Sequence, residues 1–195
     1  MKKLILQMQM SVDGFVGADE YHRWELWEWG DDSAWDDELK QGFNAVFETI
    51  DTILLSRKMA EEGYLTHWGN AAKKYPKDRF YAFAQHIVEA RKVVASDRLD
   101  TSRWERTRVV SGDLPREVEA LKQSEGGDIA VFGGAGFASA LIAAGLVDEF
   151  QLFVNPAVLG GGRRIFDQGG FARLKLLGSK AYASGMVVSR YAPAR

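Results

Sequence analysis

The chain reads as an α/β domain with a largely parallel sheet, helices on both faces and an antiparallel C-terminal edge. Short apolar or alternating runs of strand length recur along it, and helical stripes separate most of them. The last two such runs, 149–156 and 180–191, follow one another with no helix between. Strands joined through helices pair in parallel, whereas strands without a helical crossover can pair antiparallel.

Leu4, Leu6, Met8 and Met10 alternate, so residues 3–11 form a strand that closes at the turn Asp13-Gly14. Residues 15–34 have no period but hold Trp24, Trp27 and Trp29, with Trp35 just beyond. A loop this aromatic either stacks on a flat heterocycle or walls a subunit contact. Leu39, Phe43, Val46, Phe47 and Ile50 form a helical stripe, and 52–56 is a short buried strand. Arg57-Lys58 opens a short helix to Gly63, and 76–90 is a further helix. Strands follow at 92–96 and 108–111. Pro115 suits the first turn of a helix over 115–124, where its missing N–H costs nothing. A strand at 128–132 and a helix at 137–144 precede the two final strands.

With 46% hydrophobic residues, 195 residues can bury one substantial core, so a single domain over 1–195 is expected. A net charge of -2 gives no general attraction to nucleic acid or anionic membrane, so any basic site is local. The absence of cysteine excludes disulfides, thiolate metal sites and cysteine nucleophiles, and makes the cytoplasm the expected compartment. His22, His67 and His86 lie too far apart for metal-ligand spacing, so no metal is expected. Gln7 and Gln9 break the apolar run after Lys2-Lys3, so the start does not read as a signal peptide. No run is long enough to span a bilayer.

In parallel α/β sheets ligands bind at the carboxyl ends of the strands. Asp13-Gly14, Ser56-Arg57-Lys58, Ser96-Asp97-Arg98 and Gly133-Gly134-Ala135-Gly136 each follow a strand, and two of these loops are basic. Together they make a candidate polyanion site. Glycine permits close backbone approach and a helix N-terminus presents unpaired N–H groups, so Gly133 to Phe137 either hold a pyrophosphate or form a tight turn. Gly134-Ala135-Gly136-Phe137-Ala138-Ser139 nearly spells the Rossmann fingerprint, but its last glycine is Ser139 and Asp148 comes too early for the ribose acid.

"SVDGFV", "DTILLSRKM", "VVAS" and "VFGGAGFASALIAAGLVDEFQLFVNPAVLGGGRRIF", in this order, resemble the dihydrofolate reductase superfamily. The resemblance covers nearly the whole chain. It is nearest to the reductase domain at the C-terminus of bacterial bifunctional riboflavin deaminase-reductases. It implies a dihydrofolate reductase-like three-layer α/β/α fold and hydride transfer from NADPH to a pterin-like or ribosylaminopyrimidine-type substrate, a reaction of the riboflavin biosynthesis type. By the same resemblance Phe132, Gly133, Gly134, Ala135, Gly136 and Phe137 hold the cofactor pyrophosphate. Ser56, Arg57, Lys58, Met59, Ser96 and Arg98 contact the adenosine half and its 2′-phosphate. Ser56 and Met59 stand where the family usually has glycine and threonine, and the tryptophan loop is unlike the riboflavin reductases. No deaminase domain fits, because the Cys-x-x-Cys of a zinc deaminase is missing.

Reducing an imine needs a proton on nitrogen as well as a hydride, and a partly buried carboxyl can relay it. Asp36 stands three residues before Leu39 and seven before Phe43, on the inward stripe, whereas Asp37 points about 100° away. Asp36 is either this acid or the partner of Ser33 in a capping box. Asp13 is either a second acid or simply the first residue of an Asp-Gly turn. Arg163-Arg164 bind a substrate phosphate or form a solvated turn, and His67 and His86 cap helices or face solvent. The apolar helix from Phe137 has almost no polar face and suggests a second subunit, hence a homodimer. The sequence therefore leaves two functional classes: an NADPH-dependent reductase of a small heterocycle, or a non-catalytic dinucleotide-binding sensor or interaction protein.

Overall fold

A computed structural model describes residues 1–21, 35–168 and 170–194. Its strands are β1 (Leu4–Ser11), β2 (Ile50–Ser56), β3 (Arg91–Ala95), β4 (Thr107–Val110), β5 (Asp128–Phe132), β6 (Glu149–Asn155), β7 (Leu174–Ala181) and β8 (Val187–Pro193). Its helices are α1 (Asp37–Phe47), α2 (Arg57–Glu61), α3 (Tyr64–Lys74), α4 (Ala82–Glu89), α5 (Leu114–Gln123) and α6 (Ala135–Ala143). The strands form one mixed sheet in the order β4-β3-β2-β5-β1-β6-β8-β7. It is mostly parallel, and β6, β8 and β7 make the expected antiparallel edge.

The chain divides into two compact units, one of residues 1–4 and 40–133, the other of residues 5–39 and 134–195. In the first, β2 pairs in parallel with β3 and β5, and β3 with β4, so their carboxyl ends lie at one edge. Ile53, Leu54, Leu55, Val93, Val94, Ile129 and Val131 fill these strands almost without polar interruption, as strands covered on both faces require. Phe43 and Phe47 of α1 pack against Phe83 of α4 with ring centroids 5.1 and 5.7 Å apart. Trp68 of α3 meets Phe83 edge-on at 4.6 Å, and Phe132 at the end of β5 stacks on Phe47. Asn44 ties α1 to α4: its Oδ1 accepts from Phe83 N–H at 2.6 Å, and its Nδ2 donates to the Phe80 carbonyl.

At the opposite, amino-terminal ends of the strands, Asp51 accepts from Lys2 Nζ, Arg91 Nη2, the Gly127 N–H and the Thr52 hydroxyl. Gly127 lies so close that a Cβ there would stand 2.3 Å from the Thr49 carbonyl oxygen, which explains the glycine. Burial alone would raise the Asp51 carboxyl, but the hydrogen bonds from Thr52, Lys2 and Gly127 outweigh it and hold its pKa at about 2 against the ordinary 3.8. A lowered folded-state pKa stabilises the fold above the unfolded value, and that contribution disappears as pH falls from about 3.8 towards 2. Asp51→Asn should cost about 1–2 kcal/mol at neutral pH, a discounted figure because the side chain is 35% exposed and screened. Thermal denaturation of both proteins at pH 7 and pH 2.5 checks this: the gap in Tm should shrink in acid.

In the second unit β1 runs parallel to β6, and β6 pairs antiparallel with β8, which returns from β7. The segment 180–191 is not one strand. It holds the end of β7, a turn at Tyr182–Gly185 closed by the Tyr182 N–H to the Met186 carbonyl, and then β8. β7 escapes detection because nearly all its residues are exposed, so no alternation marks it. Helix α3 likewise carries no sequence signal: only Trp68 and Ala72 are buried along it, too few for a stripe.

Candidate functional site

At the carboxyl edge of the first unit, three predicted loops follow neighbouring parallel strands. Ser56 ends β2 opposite Ala95 of β3, and Leu55 lies opposite Phe132 of β5. Ser56 is the N-cap of α2, its hydroxyl accepting from the Met59 N–H at 3.2 Å. That cap supplies a local reason for serine at this position. Arg57 and Lys58 pair with Glu61 and Glu62 one turn on. These are surface pairs worth about 0–1 kcal/mol, so an anion can displace either carboxylate. Ser96 Oγ accepts from the N–H groups of Arg98 and Leu99 and turns the chain after β3. Arg98 is exposed and makes no ion pair among the described residues. Phe132 is 9% exposed and packs on Phe47 and Tyr64, so it fixes the end of β5 just before Gly133.

In the second unit Gly134 is the N-cap of α6, with φ -69° and ψ 169°, and no side chain caps this end. The first-turn bonds run from the N–H groups of Phe137 and Ala138 to the Gly134 carbonyl, which leaves those of Ala135 and Gly136 uncapped by any side chain. A Cβ built on Gly134 or Gly136 would meet nothing within 4 Å. Neither backbone strain nor a close neighbour therefore requires glycine there. The open backbone leaves room for an anion at a helix N-terminus.

Asp13 follows β1, and its carboxylate accepts from the N–H groups of Gly160, at 2.8 Å, and Leu159. A hydrogen bond with Ser11 leads the causes that lower its pKa to about 2, so the group stays ionised and anchors the 156–160 loop. Such a carboxyl is a poor proton donor at neutral pH. Asp36 immediately precedes α1; Oδ1 accepts from the Leu39 N–H at 2.8 Å, and Oδ2 lies 3.4 Å from the Ser184 N–H. Asp36 is thus itself an N-cap, with one oxygen spent on the helix and the other in a weaker contact. Ser33 and three of the loop tryptophans, Trp24, Trp27 and Trp29, lie outside the described residues. Trp35 is buried and stacks on Phe153 of β6, centroids 5.4 Å apart. Arg163 pairs its backbone with Val16 and Gly17, and the Arg164 guanidinium lies 4.3 Å over the Phe15 ring.

The other face of β1 carries a polar row that the hydrophobic pattern alone does not reveal. Gln7 is in register with Gln151, Gln9 with Phe153 and Ser11 with Asn155. Gln7, Gln9, Gln151 and Asn155 are all buried. The signal was present in the alternation of "LQMQMS": a strand with both faces covered does not place glutamine at every second position for solubility.

Comparison with known proteins places this geometry in context. Residues 2–188 match the model of the RibD C-terminal domain. The YyaP protein of Bacillus subtilis (strain 168) is 29% identical over 188 residues, 95% of this chain and 92% of that one. A solved structure described as a putative riboflavin biosynthesis protein from Shewanella sp. PV-4 superposes with a TM-score of 0.68 at 17% identity, over 99% of both chains. Dihydrofolate reductase from Enterococcus faecalis superposes at 0.58 and 14% identity, over 99% of this chain and 97% of that one. The dihydrofolate reductase-like fold is shared with both. Among the described residues no helix is long and apolar enough to cross a membrane.

Proposed function

The chain belongs to the RibD C-terminal domain family, and from that premise we propose that it is an NADPH-dependent reductase of a pterin-like or ribosylaminopyrimidine-type heterocycle. The observation that carries the reading is the open N-terminus of α6, where Gly134 and Gly136 keep a space clear that no conformational need explains. The main-chain N–H groups of Ala135 and Gly136 suit the pyrophosphate, with Gly133 and Phe137 flanking them. Arg57, Lys58 and Arg98 supply cationic donors for the 2′-phosphate, and Ser56, Met59 and Ser96 shape the loops that carry them. When bound, NADPH supplies the hydride. Asp36 offers Oδ2, which makes only a longer contact with the Ser184 N–H, as the group that relays a proton to the substrate nitrogen. Asp13 supports the neighbouring loop and takes no proton-transfer role, because it stays ionised.

Absorbance at 340 nm with dihydropterin, dihydrofolate and ribosylaminopyrimidine substrates tests turnover. NADPH consumption with one of them is the expected result. Tight NADPH binding without consumption would favour the dinucleotide-binding protein without turnover. Gly136→Ala tests the cradle separately. Alanine favours a helix interior over glycine by about 0.5–1 kcal/mol, so Tm should hold or rise while NADPH binding weakens. Calorimetry and thermal melts on the same preparation check both arms. A falling Tm, or unchanged NADPH affinity, would remove the ligand explanation for this glycine.

A further inference from the structure

Gln7 and Gln9 occupy neighbouring same-face positions of β1 and are 7% and 5% exposed. Among the described residues, Gln7 Oε1 and Gln9 Nε2 are buried without a hydrogen-bond partner. Buried polar groups are nearly always satisfied, and an unfilled one opposes folding unless something else fills it.

Hydrogen bonding around the two amides fixes which atom each leaves over. Glu149 is an acceptor only, and Arg190 donates to it at 2.8 Å. Gln151 must therefore direct Nε2 at Glu149, 2.9 Å away, and Oε1 at Gln7. Gln7 answers with Nε2 at 3.0 Å, which leaves its Oε1 as a spare acceptor. On the other side, Asn155 Nδ2 faces the carbonyls of Met10 and Phe153 and so must be the nitrogen end. It also donates to Gln9 Oε1 at 3.2 Å, which leaves Gln9 Nε2 as a spare donor. The two relays end in opposite polarity on one face. Phe153, in register with Gln9, adds a flat apolar neighbour, itself stacked against Trp35.

We infer that Gln7 and Gln9 are substrate-recognition residues that read a lactam edge, Gln7 Oε1 accepting from a ring N–H and Gln9 Nε2 donating to the adjoining carbonyl. This rests on the reductase reading above and names the chemical group by which the heterocycle is selected. A site built to hydrogen-bond such groups rejects analogues that lack them, because its own polar atoms then stay unpaired.

The test uses the intact chain and two probes, 5,6-diaminouracil and 4,5-diaminopyrimidine, which share the vicinal amino groups and differ in the ring carbonyls and N–H groups. Calorimetry should show that the wild type prefers the diaminouracil. Gln7→Met and Gln9→Met each preserve length and apolar packing. Each should weaken diaminouracil binding about ten- to a hundredfold and leave diaminopyrimidine binding unchanged. Each variant also loses the bond its amide makes to Gln151 or Asn155, so Tm should fall slightly in both, and the comparison of the two probes carries the test. Equal wild-type affinity for the two probes, binding of neither, or Met variants that bind diaminouracil like the wild type would overturn the inference. The first two outcomes do not depend on how any variant folds. NADPH titration of the same proteins is independent: its failure with lactam selectivity intact would count against the reductase reading alone.

Discussion

Asp36→Asn is expected to lower kcat about a hundred- to ten-thousandfold, the range for removing a positioned general acid, while NADPH affinity and Tm stay close to wild type. Asparagine separates the two jobs of this residue. It caps a helix about as well as aspartate, so its side-chain oxygen can keep the bond from the Leu39 N–H. It cannot relay a proton. Asp36→Ala removes both functions and should also lower stability by about 1 kcal/mol through the lost cap. Steady-state kinetics with whichever substrate supports NADPH oxidation, alongside melts of both variants, resolve the roles. If Asp36→Asn turned over like the wild type, Asp36 would serve the helix end only.

Arg57→Ala should raise the Kd for NADPH about ten- to a hundredfold, the loss of a charge-assisted hydrogen bond, and leave NADH nearly unchanged. The two dinucleotides differ only in the 2′-phosphate, so the ratio isolates that contact. The pair between Arg57 and Glu61 sharpens the expectation. In the free protein the guanidinium is partly neutralised by a carboxylate one turn away, and the phosphate must compete with it. Glu61→Gln should therefore tighten NADPH modestly by removing the competitor. Equal losses for NADPH and NADH in Arg57→Ala would assign Arg57 to α2 stability and not to the phosphate.

Legibility in the sequence followed burial. β1, β2, β3 and β5 announced themselves because central strands in a covered sheet are continuous or alternating apolar runs. β7 lies at the edge with nearly every residue exposed, so its sequence carried no periodic constraint. The glycines before α6 could be recognised as a loop, but not their conformation: φ at Gly134 is ordinary, and the space beside it is clear. Arg57 and Lys58 mark a basic loop in the sequence, and their i,i+4 pairing with Glu61 and Glu62 emerges only with the helix in place. Asp36 combined a cap and a candidate acid in one residue, and spacing could not separate them. Gln7 and Gln9 were read only as interruptions of an apolar run. Their meaning depends on Gln151 and Asn155, more than 140 residues away in sequence, which orient the amides.

The central claim is that this chain binds NADPH through the uncapped start of α6 and the cations after β2 and β3. Calorimetric titration of the wild-type chain with NADPH and, in parallel, with NADH tests it most directly. Saturable one-to-one binding of NADPH, at least about tenfold tighter than NADH for one charge-assisted phosphate contact, is the predicted result. Absence of binding with both dinucleotides would contradict the claim at its root, and equal affinity for the two would contradict the part assigned to Arg57, Lys58 and Arg98.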